Sequence, residues 1–83
     1  MISLDKIKEA HEKIAPYINS TPLIYSNFLS QNKTVKLKLE SLQITGSFKL
    51  RGAVNKLLSL SEEHKNKGVV ACSTGNHGKG VAY

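Results

Sequence analysis

Two glycine-flanked stretches hold the residue types best suited to chemistry: Thr45-Gly46-Ser47-Phe48-Lys49-Leu50-Arg51-Gly52 and Ser73-Thr74-Gly75-Asn76-His77-Gly78-Lys79-Gly80. The first offers a primary amine, Lys49, beside an aromatic ring, Phe48. The second gathers hydroxyl, carboxamide and imidazole groups among three glycines. An amine can attack a carbonyl or move a proton. A glycine-rich turn running into a helix presents backbone N–H groups to an anion.

Position alone does not make Lys49 a nucleophile. At the start of a helix the dipole disfavours a cation by only about 0.3–1 kcal/mol. Holding an ordinary lysine neutral at pH 7 takes roughly 4 kcal/mol. Burial, or capture by a carbonyl as an imine, has to supply the rest, and a surface helix lysine is the plain alternative. Asn76 and His77 taken alone are ordinary turn residues. Arg51 can pair with an acid such as Glu40, and Cys72 reads as a buried strand residue.

Familiar fingerprints fail at both stretches. Gly75-Asn76-His77-Gly78-Lys79-Gly80 has neither the spacing nor the final Ser/Thr of a phosphate-binding loop, and Gly78-Lys79-Gly80-Val81-Ala82-Tyr83 lacks the third glycine of a dinucleotide motif. There is no Gly-x-Ser-x-Gly elbow. His11, His64, His77 and Cys72 have no metal-ligand spacing.

The elements around these stretches must place them. Leu4, Ile7, His11 and Ile14 recur at helical spacing, predicting a helix from about Ser3, its cap, to Ala15, with Pro16 just beyond. Asn19–Ile24 reads as a turn with extended chain, Ser26–Gln31 as a short helical turn. Thr34–Glu40 alternates, Val35, Leu37 and Leu39 against Lys36 and Lys38, predicting a strand with one wet face. From Phe48 the period becomes helical, with Ser47 as N-cap and Val54, Leu57 and Leu58 as a packing stripe. Ser61–Gly68 predicts a helical turn ending at the glycine. Val69–Ser73 predicts a strand buried on both faces, and Val81–Tyr83 the start of another helix. Strand, helix, strand in this length implies a parallel pair with a right-handed crossover. Both glycine stretches then lie at one sheet edge, where α/β ligands bind.

Composition bounds the rest. The 83 residues make at most one small domain, 40% hydrophobic and 22% charged, which is ordinary for a globular chain. The net charge of +6 comes from eleven scattered lysines and one arginine, without interleaved aromatics, which argues against nucleic acid. No apolar run approaches the ~20 residues of a membrane span. A single cysteine favours a reducing compartment, and the cytoplasm is expected. A two-stranded parallel sheet is not stable alone, so the chain reads as the front of something larger.

Lys38–Leu60 and Gly68–Tyr83 together resemble the pyridoxal-phosphate enzymes of fold type II, most closely the threonine/serine dehydratases, including the hydroxyectoine-utilisation type, with serine racemase nearby. The "TGSFK-x-RGA" and "GNHG" motifs carry the resemblance, which covers nearly the whole chain. Lys49-Leu50-Arg51-Gly52-Ala53 points to the dehydratase branch, because cysteine and threonine synthases usually have Lys-Asp-Arg there.

The resemblance implies an α/β fold of the tryptophan synthase β type, a three-layer αβα parallel sheet. Residues 1–67 would come from its large domain and 68–83 from the start of its small domain. It implies pyridoxal 5′-phosphate as cofactor, with Lys49 forming the imine and later moving the substrate α-proton. Phe48 would pack beside the ring and Asn76 would hydrogen-bond the 3′-oxygen. Ser73, Thr74, Gly75, Asn76 and His77 would grip the substrate carboxylate; Thr74 departs mildly from the usual Ala or Ser. The implied reaction eliminates water from a β-hydroxy amino acid such as threonine or serine, giving a 2-oxo acid and ammonia. The same resemblance implies a homo-oligomer with a small-molecule substrate and neither nucleic-acid nor membrane partner. In relatives the cofactor phosphate meets a later tetraglycine loop and the pyridine nitrogen a residue near the C-terminus, neither of them within these 83 residues. Two readings therefore stand: the front part of a dehydratase, inactive by itself, or a non-catalytic remnant or docking fragment. Racemisation of serine and dehydration of hydroxyaspartate are alternatives within the family.

Overall fold

A computed structural model describes all residues, Met1 to Tyr83. In chain order it has helix α1 (Leu4–Ile14), a 3-10 turn (Ala15–Tyr17), strands β1 (Leu23–Tyr25) and β2 (Lys36–Lys38), a second 3-10 turn (Glu40–Leu42), and helices α2 (Lys49–Leu58), α3 (Glu62–Lys67) and α4 (Asn76–Ala82). The Ser3 hydroxyl accepts from the Lys6 N–H at 3.2 Å, capping α1 as its sequence predicts. Ser61 caps α3 in the same way through His64, and Gly68 ends it.

The strands differ from the predicted crossover pair. β2 pairs antiparallel with β1, in the register Leu23↔Lys38, Ile24↔Leu37, Tyr25↔Lys36. The Ser30 hydroxyl closes the connecting loop, accepting from the Val35 N–H at 2.9 Å and donating to the Val35 carbonyl at 3.2 Å. Val69–Ser73 joins no ladder and is not buried: Val70 is fully exposed, and Cys72 is exposed as well. A parallel strand is sheltered only when it has neighbours and helices on both faces, and no other segment of the 83 residues takes that place.

The core is small. Ile14 from α1 packs with Leu50 and Val54 from α2, and Ile18 and Leu58 close around them. Leu50 is completely inaccessible. Only the last turn of the α1 stripe is used, since Leu4 and Ile7 remain exposed. In the α2 stripe Val54 is buried, Leu57 and Leu58 are half-buried and Phe48 is exposed. The radius of gyration is 15.7 Å, against about 12 Å for a compact chain of this length. The accessible surface of 6592 Å² likewise exceeds the roughly 4,900 Å² of a globular protein of this mass. The chain therefore spreads its elements instead of enclosing them.

A polar cluster joins the strands to α2. Arg51 donates from Nε to Glu40 Oε2 and from Nη2 to Glu40 Oε1, both at 2.8 Å. The buried Thr21 hydroxyl donates to the same carboxylate, and Lys38 Nζ donates to the Thr21 carbonyl. A second buried polar group, Gln43, binds the segment before β1: its side chain accepts from the Asn19 N–H at 2.8 Å and donates to the Asn19 carbonyl at 3.0 Å. Paired and buried in this way, these groups offset much of their desolvation.

The α2–α4 contact depends on Gly80. A Cβ there would lie 3.3 Å from Leu50 N, from Leu50 Cα and from Ala53 Cβ. Two helix backbones approach this closely only where a side chain is missing. At Gly78 an added Cβ would meet Ser73 Cβ at 3.5 Å, an ordinary contact.

Two outcomes are expected. Gly80→Ala should lower the thermal midpoint, because overpacking costs about 1–3 kcal/mol and outweighs the ~1 kcal/mol gain in helix propensity. Gly78→Ala keeps the propensity gain without the clash and should not lower it; equal midpoints for the two variants would show that α4 does not pack on α2 at this distance. The second concerns pH. Hydrogen bonding from Arg51, against the opposing effect of burial and with help from Thr21, holds Glu40 down at about 2 from an ordinary 4.5. A carboxylate depressed in the folded state stabilises above its unfolded value and loses that contribution as pH falls through the folded one. Stability should therefore be lost as pH falls from about 4.5 toward 2, with the thermal midpoint dropping across that window. Glu40→Gln should start lower at pH 7 and decline less across that window, as followed by circular dichroism.

Candidate functional site

Lys49 is the first residue of α2, and Asn76 is the first of α4. Packing of α4 on α2 through Gly80 brings these two helix starts to one mouth. Lys49, Cys72, Ser73, Thr74, Gly75, Asn76 and His77 line a single open cavity of about 680 Å³. Every residue singled out in the second glycine stretch for binding thus faces the same space as the lysine. An apolar cleft of about 380 Å³, walled by Phe48, Ala53, Leu57, Val70 and Val81, shares Lys49 and His77 with it.

The loop before α2 is set by two devices. Gly46 sits at φ 80°, a left-handed conformation that favours glycine, and its N–H meets the Gln43 carbonyl at 2.8 Å. Ser47 is not the N-cap that its position predicts. Phe48 occupies that place with helical backbone angles and no side-chain cap, while the Ser47 hydroxyl accepts from the Lys49 N–H at 3.3 Å. The serine lies one residue too early because the helical turn already begins at Phe48.

Lys49 is exposed and makes no ion pair with any of the six acids. Its Nζ lies 5.0 Å from the centre of the Phe48 ring, a cation–π distance. In the second loop, the Ser73 hydroxyl accepts from the Gly75 N–H at 3.1 Å and so fixes the bend before α4. The side chains of Thr74, Asn76 and His77 make no hydrogen bond in the structure, and none of the five loop residues is buried. α4 starts inside the glycine stretch, five residues earlier than Val81, so its first amides border the cavity.

Sequence reasoning missed Thr21 and Gln43, the buried polar residues that secure the chain leading to this site. Gln43 had a weak signal, an amide flanked by Leu42 and Ile44 where the strand alternation stops. Thr21, beside Pro22 in an apparent turn, had none. The Glu40–Arg51 pair was legible, and it forms as a two-point contact.

The residues present fit an aldehyde-bearing aromatic cofactor. They supply a primary amine without a carboxylate partner, an aromatic ring next to it in the apolar cleft, and a carboxamide free to hydrogen-bond in the open cavity, with Lys49 lining both spaces. A family model described as "Pyridoxal-phosphate dependent enzyme" matches residues 14–83. The catabolic L-threonine dehydratase of Staphylococcus aureus strain N315 is 55% identical over 99% of this chain, which corresponds to 25% of that protein. The solved serine racemase of Dictyostelium discoideum superposes with a TM-score of 0.91 at 46% identity, covering 99% of this chain and 27% of that one. Maize serine racemase gives 0.87 at 42% identity, covering 95% and 26%. The chain thus spans about a quarter of the length of the relatives it matches, and its elements take the fold of that part of a fold type II enzyme. With the family model covering most of its length, this chain belongs to the pyridoxal-phosphate-dependent enzymes, and its family's cofactor is pyridoxal phosphate.

Proposed function

We propose that this chain carries the attachment lysine and the carboxylate-binding loop of a dehydratase that converts a β-hydroxy amino acid, L-threonine or L-serine, to a 2-oxo acid and ammonia. The observation that carries the reading is the shared cavity: Lys49 from α2 and Ser73–His77 from the start of α4 line one space. Identity of 55% to a catabolic L-threonine dehydratase supports threonine as substrate.

In this reading Lys49 holds the cofactor covalently through Nζ. The same nitrogen would also serve as the base that takes the substrate α-proton. Burial does not prepare it within these residues, since Lys49 is exposed; the bound cofactor would have to. Phe48 would flank the cofactor, and the Asn76 carboxamide would be its hydrogen-bond donor. Pyridoxal phosphate, when bound, supplies the electron sink for the pair left behind by the α-proton. The N–H groups and hydroxyls of Ser73, Thr74, Gly75, Asn76 and His77 hold the substrate carboxylate, which fixes the α-hydrogen toward Lys49 and excludes other bond cleavages.

Serine racemisation is the second reading, favoured by the two solved neighbours. It shares α-proton removal and differs in the next step, a return of the proton on the opposite face in place of loss of the β-hydroxyl. Chiral chromatography of serine recovered from the reaction separates the two.

The activity belongs to a protein with the further length that these relatives have, and the 83 residues alone are proposed to be inactive. Residues 1–67 are assigned to a large domain and 68–83 to the start of a small one, the junction falling at Gly68 after α3. Exposed Val70, Phe28 and Leu23 support a reading in which further polypeptide, including a second copy in a homo-oligomer, covers this surface. The free, exposed Cys72 supports a cytoplasmic location; no helix is long and apolar enough to cross a membrane.

In the enzyme at full length, borohydride reduction should fix pyridoxal phosphate on Lys49, and Lys49→Ala should remove both this adduct and ammonia release from L-threonine. Mapping of the adduct by peptide mass spectrometry checks the first. An adduct on another lysine, or turnover retained by Lys49→Ala, would overturn the assignment.

A further inference from the structure

The first turn of α2 gets no cap from its N-cap residue, Phe48; the one side chain on its free amides is Ser47, whose hydroxyl accepts from the Lys49 N–H at 3.3 Å. A turn held at its start by one long hydrogen bond is prone to fray, yet it bears Lys49. What holds this turn lies two residues on. Side chains two apart on a helix point about 200° from one another, so Arg51 turns to the side opposite Lys49. There its guanidinium grips both oxygens of Glu40 at 2.8 Å. Glu40 is itself fixed by the hydroxyl of Thr21, only 6% exposed, and Lys38 Nζ donates to the carbonyl of that threonine. Between the two side chains Leu50 is wholly buried against Ile14. The turn is thus anchored on its far side by segments from before β1, from β2 and from the turn after it.

Resting on the reading of Lys49 as the attachment and proton-transfer residue, we propose that Arg51, Glu40 and Thr21 form a positioning clamp for Lys49, holding this weakly capped turn so that Nζ stays aimed into the cavity it shares with Ser73–His77. None of the three lines that cavity. Their effect on the reaction passes through the backbone of residues 49–51. The planar fork is essential, since lysine keeps the charge but offers no two-point contact to a carboxylate.

The test uses the enzyme at full length with pyridoxal 5′-phosphate bound, comparing Arg51→Lys and Thr21→Val with wild type. Arg51→Lys should speed amide hydrogen exchange at residues 49–51 by about tenfold or more and lower kcat for ammonia release from L-threonine by about 10- to 100-fold, with KM within about twofold. Thr21→Val, which leaves the two Arg51–Glu40 bonds in place, should shift exchange and kcat in the same direction by about threefold. Exchange at residues 73–77 should stay unchanged in both. The clamp is refuted if Arg51→Lys keeps exchange at 49–51 and kcat within twofold of wild type, or if kcat falls only in step with a loss of folded protein. Should Arg51→Lys not fold, Thr21→Val decides alone, and unchanged exchange at 49–51 refutes it. A borohydride adduct found elsewhere than Lys49 in wild type is a separate failure, of the reading on which the clamp rests.

Discussion

The two-point contact between Arg51 and Glu40 is the interaction on which the rest of this structure depends. Without it α2 would touch the N-terminal half of the chain through a small apolar cluster, Ile14 with Leu50 and Val54, and a Lys13–Ser59 hydrogen bond at the far end of the helix. Surface ion pairs usually add little. This one differs because Glu40 is largely shielded and also accepts from Thr21, and because the guanidinium matches both carboxylate oxygens. The two partners report the same coupling: Glu40 is held well below its ordinary range, chiefly by Arg51, and Arg51 is pushed further above its own, chiefly by Glu40. A pair so coupled fixes direction as well as distance, and direction is what a residue two positions away on the helix inherits.

A second constraint works on the other side of α2. Gly80 lets α4 lie against the backbone of Leu50 and the side chain of Ala53. Because Leu50 follows Lys49 directly, the contact that seats α4 is made one residue from the amine. The distance from Lys49 to the 73–77 loop is therefore set by a helix–helix contact and not by the loop's own flexibility. Arg51 fixes the turn against the strands, Gly80 fixes the loop against the turn, and Leu50 is common to both. In the proposed reaction, where a bound group would supply the electron sink, the protein is left chiefly with placement, which these contacts would provide.

Local chemistry was legible in the sequence where it is governed by local rules. The cap at Ser3, the helix stop at Gly68 and the onset of helical period near Phe48 all depend on neighbours within four residues. The two glycine stretches could be placed together by an argument about strand order, and they do come together. The route is different, because helix packing at Gly80 joins them whereas the expected parallel pair of strands does not form among these residues. β1 was missed as a strand because three residues are too few to display a period. Its pairing with β2 is a long-range fact, fixed by Ser30 pinching the loop at Val35. Val69–Ser73 has the composition of a doubly buried strand yet lies exposed, since composition records what a segment needs and not whether the neighbours that meet the need are at hand.

That mismatch also explains the shape of the candidate site. The cavity is open, its side chains are exposed, and its polar groups have few partners, although the residue types are those of an enclosed catalytic centre. Polar groups without partners are costly only once water is removed; here Thr74, Asn76 and His77 remain wet and carry no such cost. Enclosure would turn the same groups into strong donors by lowering the local dielectric. The first turn of α2 cannot wait for enclosure in this way, because a lysine that frays with its helix would be misplaced in any surroundings. The anchoring contacts are accordingly the buried ones, at Thr21, Gln43 and Leu50, and the groups proposed to meet a ligand are the exposed ones.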